Sequence, residues 1–160
     1  MQHPTFYKTL ILGLGNILMG NEGIGVKAIE YMENQPLPEQ VTLLDGGTGG
    51  FHLLHLFNEY ESFIMIDATL TNEEQGTIKV IKPKFASDFP RSLTSHDIGL
   101  RDLMQSAELL GDLPEISLIT INIKELDTVK IGLSDELNQL LPKVYQTVLS
   151  ILENKKNSKL

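Results

Sequence analysis

Apolar residues fall into short unbroken runs that alternate with stretches at helical spacing. The run at 9–15, Thr-Leu-Ile-Leu-Gly-Leu-Gly, is apolar on both faces and closes in glycine, the pattern of a buried strand. From Gly23 onward Ile24, Ala28, Ile29 and Met32 recur every three to four positions, which predicts a helix ended by Asn34-Gln35-Pro36-Leu37-Pro38. A second strand is predicted at 41–45. A loop through Gly46, Gly47, Gly49 and Gly50 follows, then a short helix with Phe51, Leu54 and Phe57 inward. Residues 62–68 read as a central strand and 76–81, which alternates, as an edge strand. Two prolines and no periodicity make 83–94 a loop.

A helix is expected to open near His96, burying Leu100, Leu103, Met104 and Ala107 and stopping at Gly111. The run 116–123 is a fifth strand. A last helix carries Leu133, Leu137, Leu140, Leu141, Val144, Val148 and Ile151 on one stripe, with Ser134 as N-cap and Pro142 placed to bend it. Alternating strands and helices predict a single-domain three-layer α/β sandwich, with a mostly parallel five-stranded sheet and helices on both faces. The domain is expected to cover 1–153 and to leave 154–160 as a flexible polar tail.

Composition narrows what such a sandwich does. A net charge of −8 over 160 residues argues against a nucleic-acid partner. The absence of cysteine removes disulfides, thiolate nucleophiles and Cys-based zinc sites. The first residues lack the layout of a signal peptide and no apolar run approaches membrane-spanning length, so a cytoplasmic protein without membrane insertion is expected.

The segment Gly-Leu-Gly-Asn-Ile-Leu-Met-Gly-Asn-Glu-Gly-Ile-Gly at 13–25 demands tight turns or a close approach. A dinucleotide fingerprint would need a third glycine at 18, where Leu18 stands, and no phosphate-loop Gly-Lys-Ser/Thr motif is present. Peptidyl-tRNA hydrolases share only Gly-Leu-Gly-Asn and require a basic surface. His-Glu-x-x-His, Gly-x-Ser-x-Gly and the paired Asp-Thr/Ser-Gly motif are all missing, so hydrolytic machinery would have to be spread over separate loops.

Ligands of parallel sheets bind beyond the carboxyl ends of the strands. The polar residues expected there are Glu22 after the first strand, Asp45 and Asp67 at the ends of the second and third, and His96 after the long loop. Carboxylates and an imidazole would suit nickel, zinc, iron or cobalt better than calcium. A helix N-terminus would also keep His96 neutral and ligand-competent. Each residue has a structural alternative. Glu22 and Asp45 could cap helices, and His96 could be an exposed helix-start residue. Asp67, in an apolar strand, would need a partner or a metal if buried. His52 and His55 lie on an ordinary amphipathic helix and read as non-ligands; His3 lies in the frayed start.

Five segments in order, at 12–26, 43–50, 64–68, 95–100 and 131–134, resemble the hydrogenase maturation endopeptidases, which trim the large subunit of nickel–iron hydrogenases. The resemblance implies metal contacts at Glu22, Asp67 and His96. It places the aspartate of the family's Asp-Gly-Gly-Thr loop on Asp45, so that Glu22, Asp45, Asp67 and His96 form the catalytic set. It implies removal of a C-terminal extension from the large-subunit precursor after nickel insertion, the nickel being carried by the substrate, with other divalent metals able to enter in vitro. A monomer is expected. The alternatives on the same residues are a non-catalytic nickel chaperone or sensor, and a small-molecule hydrolase. Asn21 stands where the family often has an acid, and Lys124-Glu125 where it often has Pro-Glu; the second departure bears on substrate preference.

Overall fold

The computed structural model describes residues 8–90, 99–126 and 129–158. Five strands form one sheet: β1 (Thr9–Leu14), β2 (Val41–Gly47), β3 (Ser62–Thr69), β4 (Ile78–Ile81) and β5 (Glu115–Asn122), in the order β2-β1-β3-β5-β4. β2, β1, β3 and β5 run parallel, and β4 pairs antiparallel with β5 at the edge. The α-helices are α1 (Ile24–Met32), α2 (Leu100–Leu110), α3 (Asp135–Asn138) and α4 (Leu141–Ser158). This is the predicted three-layer architecture. Each face of the sheet carries its own core. Ile11, Ile64, Ile66, Ile119 and Ile121 meet α1 and α4 on one side. Leu10, Leu12, Phe63, Met65 and Leu118 meet α2 and the 3-10 helix Phe51–Asn58 on the other. β1 and β3 are buried on both faces, as their continuous apolar runs require.

Four expectations change. The segment 51–58 is a 3-10 helix that buries Leu53 and Leu56, packs Leu54 and Phe57 half-buried against the same core as predicted, and leaves Phe51 exposed. With side chains eclipsed every three residues, two adjacent stripes share the inner face. The last helical region breaks into two, because Pro142 sits in the first turn of α4, where its missing N–H costs nothing. Ser134 caps only α3, its hydroxyl accepting from Leu137 N–H at 3.4 Å. α4 continues to Ser158, so most of 154–160 is helix rather than tail; Lys155 and Lys156 in its last turn suit the negative end of the helix dipole. Finally, 83–94 contains a 3-10 turn, Ala86–Asp88, and not only loop.

That turn is held by Asp88, whose carboxylate accepts the N–H groups of Phe85 and Lys84, both at 3.0 Å. These bonds favour the ionised form and hold its pKa below the ordinary aspartate value. With the folded pKa depressed, the contribution of Asp88 is present above the unfolded value and lost as pH falls through the folded one. The Asp88→Asn variant is therefore expected to show a shallower loss of stability than wild type from about pH 4 downward, read by urea unfolding across pH.

α1 rests on the sheet with almost no gap. A Cβ on Gly25 would lie 2.2 Å from the Leu14 carbonyl oxygen and 2.3 Å from that of Ile66. Backbone atoms on both sides leave no flexible group to give way. Gly25→Ala is expected to destabilise the fold by at least about 2 kcal/mol, whereas Lys27→Ala on the outer side of the same helix should stay within about 0.5 kcal/mol. Urea midpoints of the two variants check both values.

Candidate active site

β1 lies between β2 and β3, and the chain leaves it in one direction and returns in the other. It passes from β1 to β2 through α1 on one face, then to β3 through the 3-10 helix on the opposite face. The connections after β1 and β3 therefore diverge at the carboxyl edge of the sheet, the place where sheets of this kind bind ligands. Glu22 lies in the first connection, and Asp67 lies in β3 two residues before the strand ends at Thr69, not at its end as the sequence predicts.

The connection after β1 folds back on itself. Gly15 has φ +142°, and a Cβ there would stand 2.0 Å from the Glu22 carbonyl oxygen. Asn16 stabilises the turn by accepting Leu18 N–H through its side chain at 2.9 Å and Met19 N–H through its carbonyl at 3.0 Å. A 3-10 helix, Gly20–Gly23, follows and packs against β3. Glu22 within it is only 4% exposed. The glycines of 13–25 thus serve close approach of backbone to backbone, which draws Glu22 inward.

A distant segment closes over this loop. Lys130 N–H donates to the Leu18 carbonyl at 2.8 Å, and Gly20 N–H donates to the Lys130 carbonyl at 2.7 Å, a parallel bridge centred on Met19 and Lys130. The Asn21 side-chain oxygen accepts Ser134 N–H at 2.9 Å. The sequence marked Ser134 only as a helix cap. Its tie to Asn21 spans 113 positions and carries no local signal.

Asp67 follows Phe63 and Met65 in alternation, so it points to the face that holds α2. It is half-buried, and its Oδ1 accepts Ala68 N–H at 2.9 Å. α2 begins at Leu100, after an extended Gly99, rather than near His96. His96 itself lies outside the described residues, as does His3. Asp45 does not end β2: the strand runs on through Gly47, with a register shift opposite Gly13 and Leu14. Asp45 is exposed, and its Oδ1 accepts Gly47 N–H at 2.8 Å, which steadies the bulge at the start of the glycine-rich loop. His52 and His55 are exposed on the 3-10 helix, the Nδ1 of His55 lying 2.5 Å from the His52 carbonyl oxygen. Among the described residues no three His, Asp or Glu side chains group closely enough to hold a metal ion. Of the carboxylates expected from the sequence, Glu22 lies buried in the connection after β1, and Asp67 lies half-buried in β3.

Residues 26–151 match the model of a family described as hydrogenase maturation protease. The hydrogenase expression/formation protein HupD of Rhizobium leguminosarum bv. viciae is 33% identical, over 94% of this chain and 77% of its own. The hydrogenase 2 maturation protease of Escherichia coli (strain K12) is 30% identical, over 91% of this chain and 90% of its own. The solved structure of the hydrogenase maturating endopeptidase HybD from E. coli superposes with a TM-score of 0.81 at 30% identity, covering 92% of this chain and 93% of that one.

Replacing Asn21 by Leu keeps its bulk and removes the acceptor for Ser134 N–H. A cost of about 1–3 kcal/mol is expected for the orphaned donor, read as a lowered thermal midpoint.

Proposed function

This chain belongs to the hydrogenase maturation proteases, a family of peptide hydrolases, and on that premise we propose that it removes the C-terminal extension of a nickel–iron hydrogenase large-subunit precursor once nickel has been inserted. The observation that carries the reading is a buried carboxylate, Glu22, in the loop after β1 that packs against β3, the strand of Asp67, on the carboxyl side of the sheet where α/β folds bind ligands. A folded chain tolerates a carboxylate at such depth only with compensation, and functional sites are where such groups concentrate.

In this reading nickel is part of the substrate. It arrives held by the precursor, and Glu22, Asp67 and His96 offer it oxygen and nitrogen donors. The chain has no cysteine, so it supplies no competing thiolate that would strip the metal from its client. Cleavage needs a water to attack the scissile carbonyl. A carboxylate, Asp45 or one of the metal-contacting pair, takes a proton from that water. The C–N bond of the tetrahedral intermediate then breaks, and the proton passes to the leaving amine. The precursor is read as the sole macromolecular partner. No helix among the described residues is long and apolar enough to cross a membrane.

Mass measurement of nickel-loaded precursor after incubation tests the proposal. Wild type is expected to shorten it and Glu22→Gln, Asp67→Asn and His96→Ala to leave it whole, with thermal midpoints unchanged or raised in the two carboxylate variants, because neighbouring acids cost stability. His52→Ala and His55→Ala should still cut. Precursor that never received nickel should stay intact with excess protein, and pretreating the protein with chelator should leave activity unaltered. Cutting of nickel-free precursor would overturn the substrate-borne metal, and binding without shortening would make the chain a chaperone.

A further inference from the structure

β3 and β5 change from apolar to polar at the same level of the sheet. On the face that holds α2, β3 runs Phe63, Met65, Asp67 and β5 runs Ile116, Leu118, Thr120. Phe63 pairs with Ile116, Met65 with Leu118 and Asp67 with Thr120. Neighbouring strands lie about 4.8 Å apart, so Thr120 stands beside Asp67 on the same surface. Thr120 is 4% exposed, and among the described residues its hydroxyl has no hydrogen-bond partner. Other buried polar groups of the sheet are satisfied. Thr9 and Ser62, at its amino end, bond to each other at 2.7 Å. Asn122, two residues beyond Thr120, accepts the Thr71 N–H at 2.8 Å and the Thr71 hydroxyl at 3.0 Å, and donates to the Glu73 carbonyl at 2.6 Å. A buried hydroxyl without a partner costs stability, and its presence beside Asp67 calls for a ligand that completes it.

We propose that Thr120 is a substrate-contacting residue of the peptidase site, its hydroxyl donating to the carbonyl oxygen of the bond to be cut. The inference rests on the peptidase reading above and adds a group to that same site. As water attacks, the π pair of the carbonyl moves onto its oxygen, and the Thr120 O–H bonds more strongly as negative charge grows there. The hydroxyl keeps its proton throughout. When the C–N bond breaks, the pair returns from oxygen to re-form the C=O bond, and the hydrogen bond weakens again. Glu22 and Asp67 cannot take this part when ionised, because a carboxylate only accepts hydrogen bonds and repels an oxyanion. The position of Thr120 is fixed in advance. Its backbone pairs with Asp67 on one side and with Lys79 of β4 on the other, and its branched Cβ restricts the rotation that would turn the hydroxyl away. A donor held in place before the charge develops needs no reorganisation when the bond is attacked.

Processing of nickel-loaded precursor by Thr120→Val, which keeps the shape of the side chain and removes its hydroxyl, tests the assignment. The variant is expected to lower kcat about a hundredfold with KM changed less than about threefold, and Thr120→Ser to recover most of the loss. The thermal midpoint of Thr120→Val should equal or exceed that of wild type, because a methyl group replaces an unpartnered hydroxyl. A purely structural hydroxyl would show the reverse, a lowered midpoint with kcat little changed. Ser117→Ala removes a buried hydroxyl from the opposite face of β5, the side of Ile119 and Ile121, and should cut at the wild-type rate. Undiminished kcat in Thr120→Val, or equal losses in the Val and Ser variants, would overturn the role of Thr120 and leave the peptidase reading intact. Wild-type protein that leaves nickel-loaded precursor whole would overturn the peptidase reading and the role of Thr120 with it.

Discussion

The contact of Gly25 with the carbonyls of Leu14 and Ile66 governs the architecture around it. Because no side chain intervenes, the first turn of α1 lies directly against β1 and β3. A helix so close to the strand it follows leaves little room for the residues between them. The connection 15–23 must double back, and it does so through the positive φ of Gly15 and the 3-10 turn that carries Glu22. Burial of Glu22 is thus a consequence of backbone proximity. A larger residue at 25 would lift α1, lengthen the path and loosen the loop that holds the carboxylate.

Proximity alone would leave that loop free on its outer side. The segment 130–134 closes it with three hydrogen bonds, to Leu18, Gly20 and Asn21. The same segment leads into α3, so the wall of the site is continuous with the α1–α4 layer of the core. Asp67 is set from the other direction. It belongs to the most buried part of the sheet, and its orientation follows from strand alternation fixed by Phe63 and Met65 in the core. One carboxylate is therefore placed by a loop under constraint and the other by a strand under packing.

Much of this was readable in advance, where the signal is periodic or local. The five strands, the buried faces of α1 and α2, the stop at Gly111 and the cap at Ser134 all follow from spacing and from residues whose conformational preferences act within a few positions. Legibility failed where two arrangements had similar local merit. The 3-10 helix at 51–58 offers two stripes with equal spacing, and only the shape of the core beneath sinks Leu53 and Leu56 deeper than Leu54 and Phe57 and leaves Phe51 outside. The polar end of α4 reads as a tail by composition, yet it continues a helix already nucleated by packing at Val144 and Val148. Asp45 reads as a strand end, and the extra residue Gly46 in the β2 bulge carries the strand past it.

The sequence by itself determined which residues are apolar at which period, and therefore the strands, the helices and the class of sandwich they build. It also placed acids toward the carboxyl side of the first and third strands, which is enough to nominate Glu22 and Asp67. Only the tertiary structure decided how far those acids sink and which segment closes the loop that carries Glu22. The bonds that settle those matters join Leu18 to Lys130 and Asn21 to Ser134, across more than a hundred positions. Closing such a distance depends on the whole core being assembled, and no pattern of neighbouring residues encodes it.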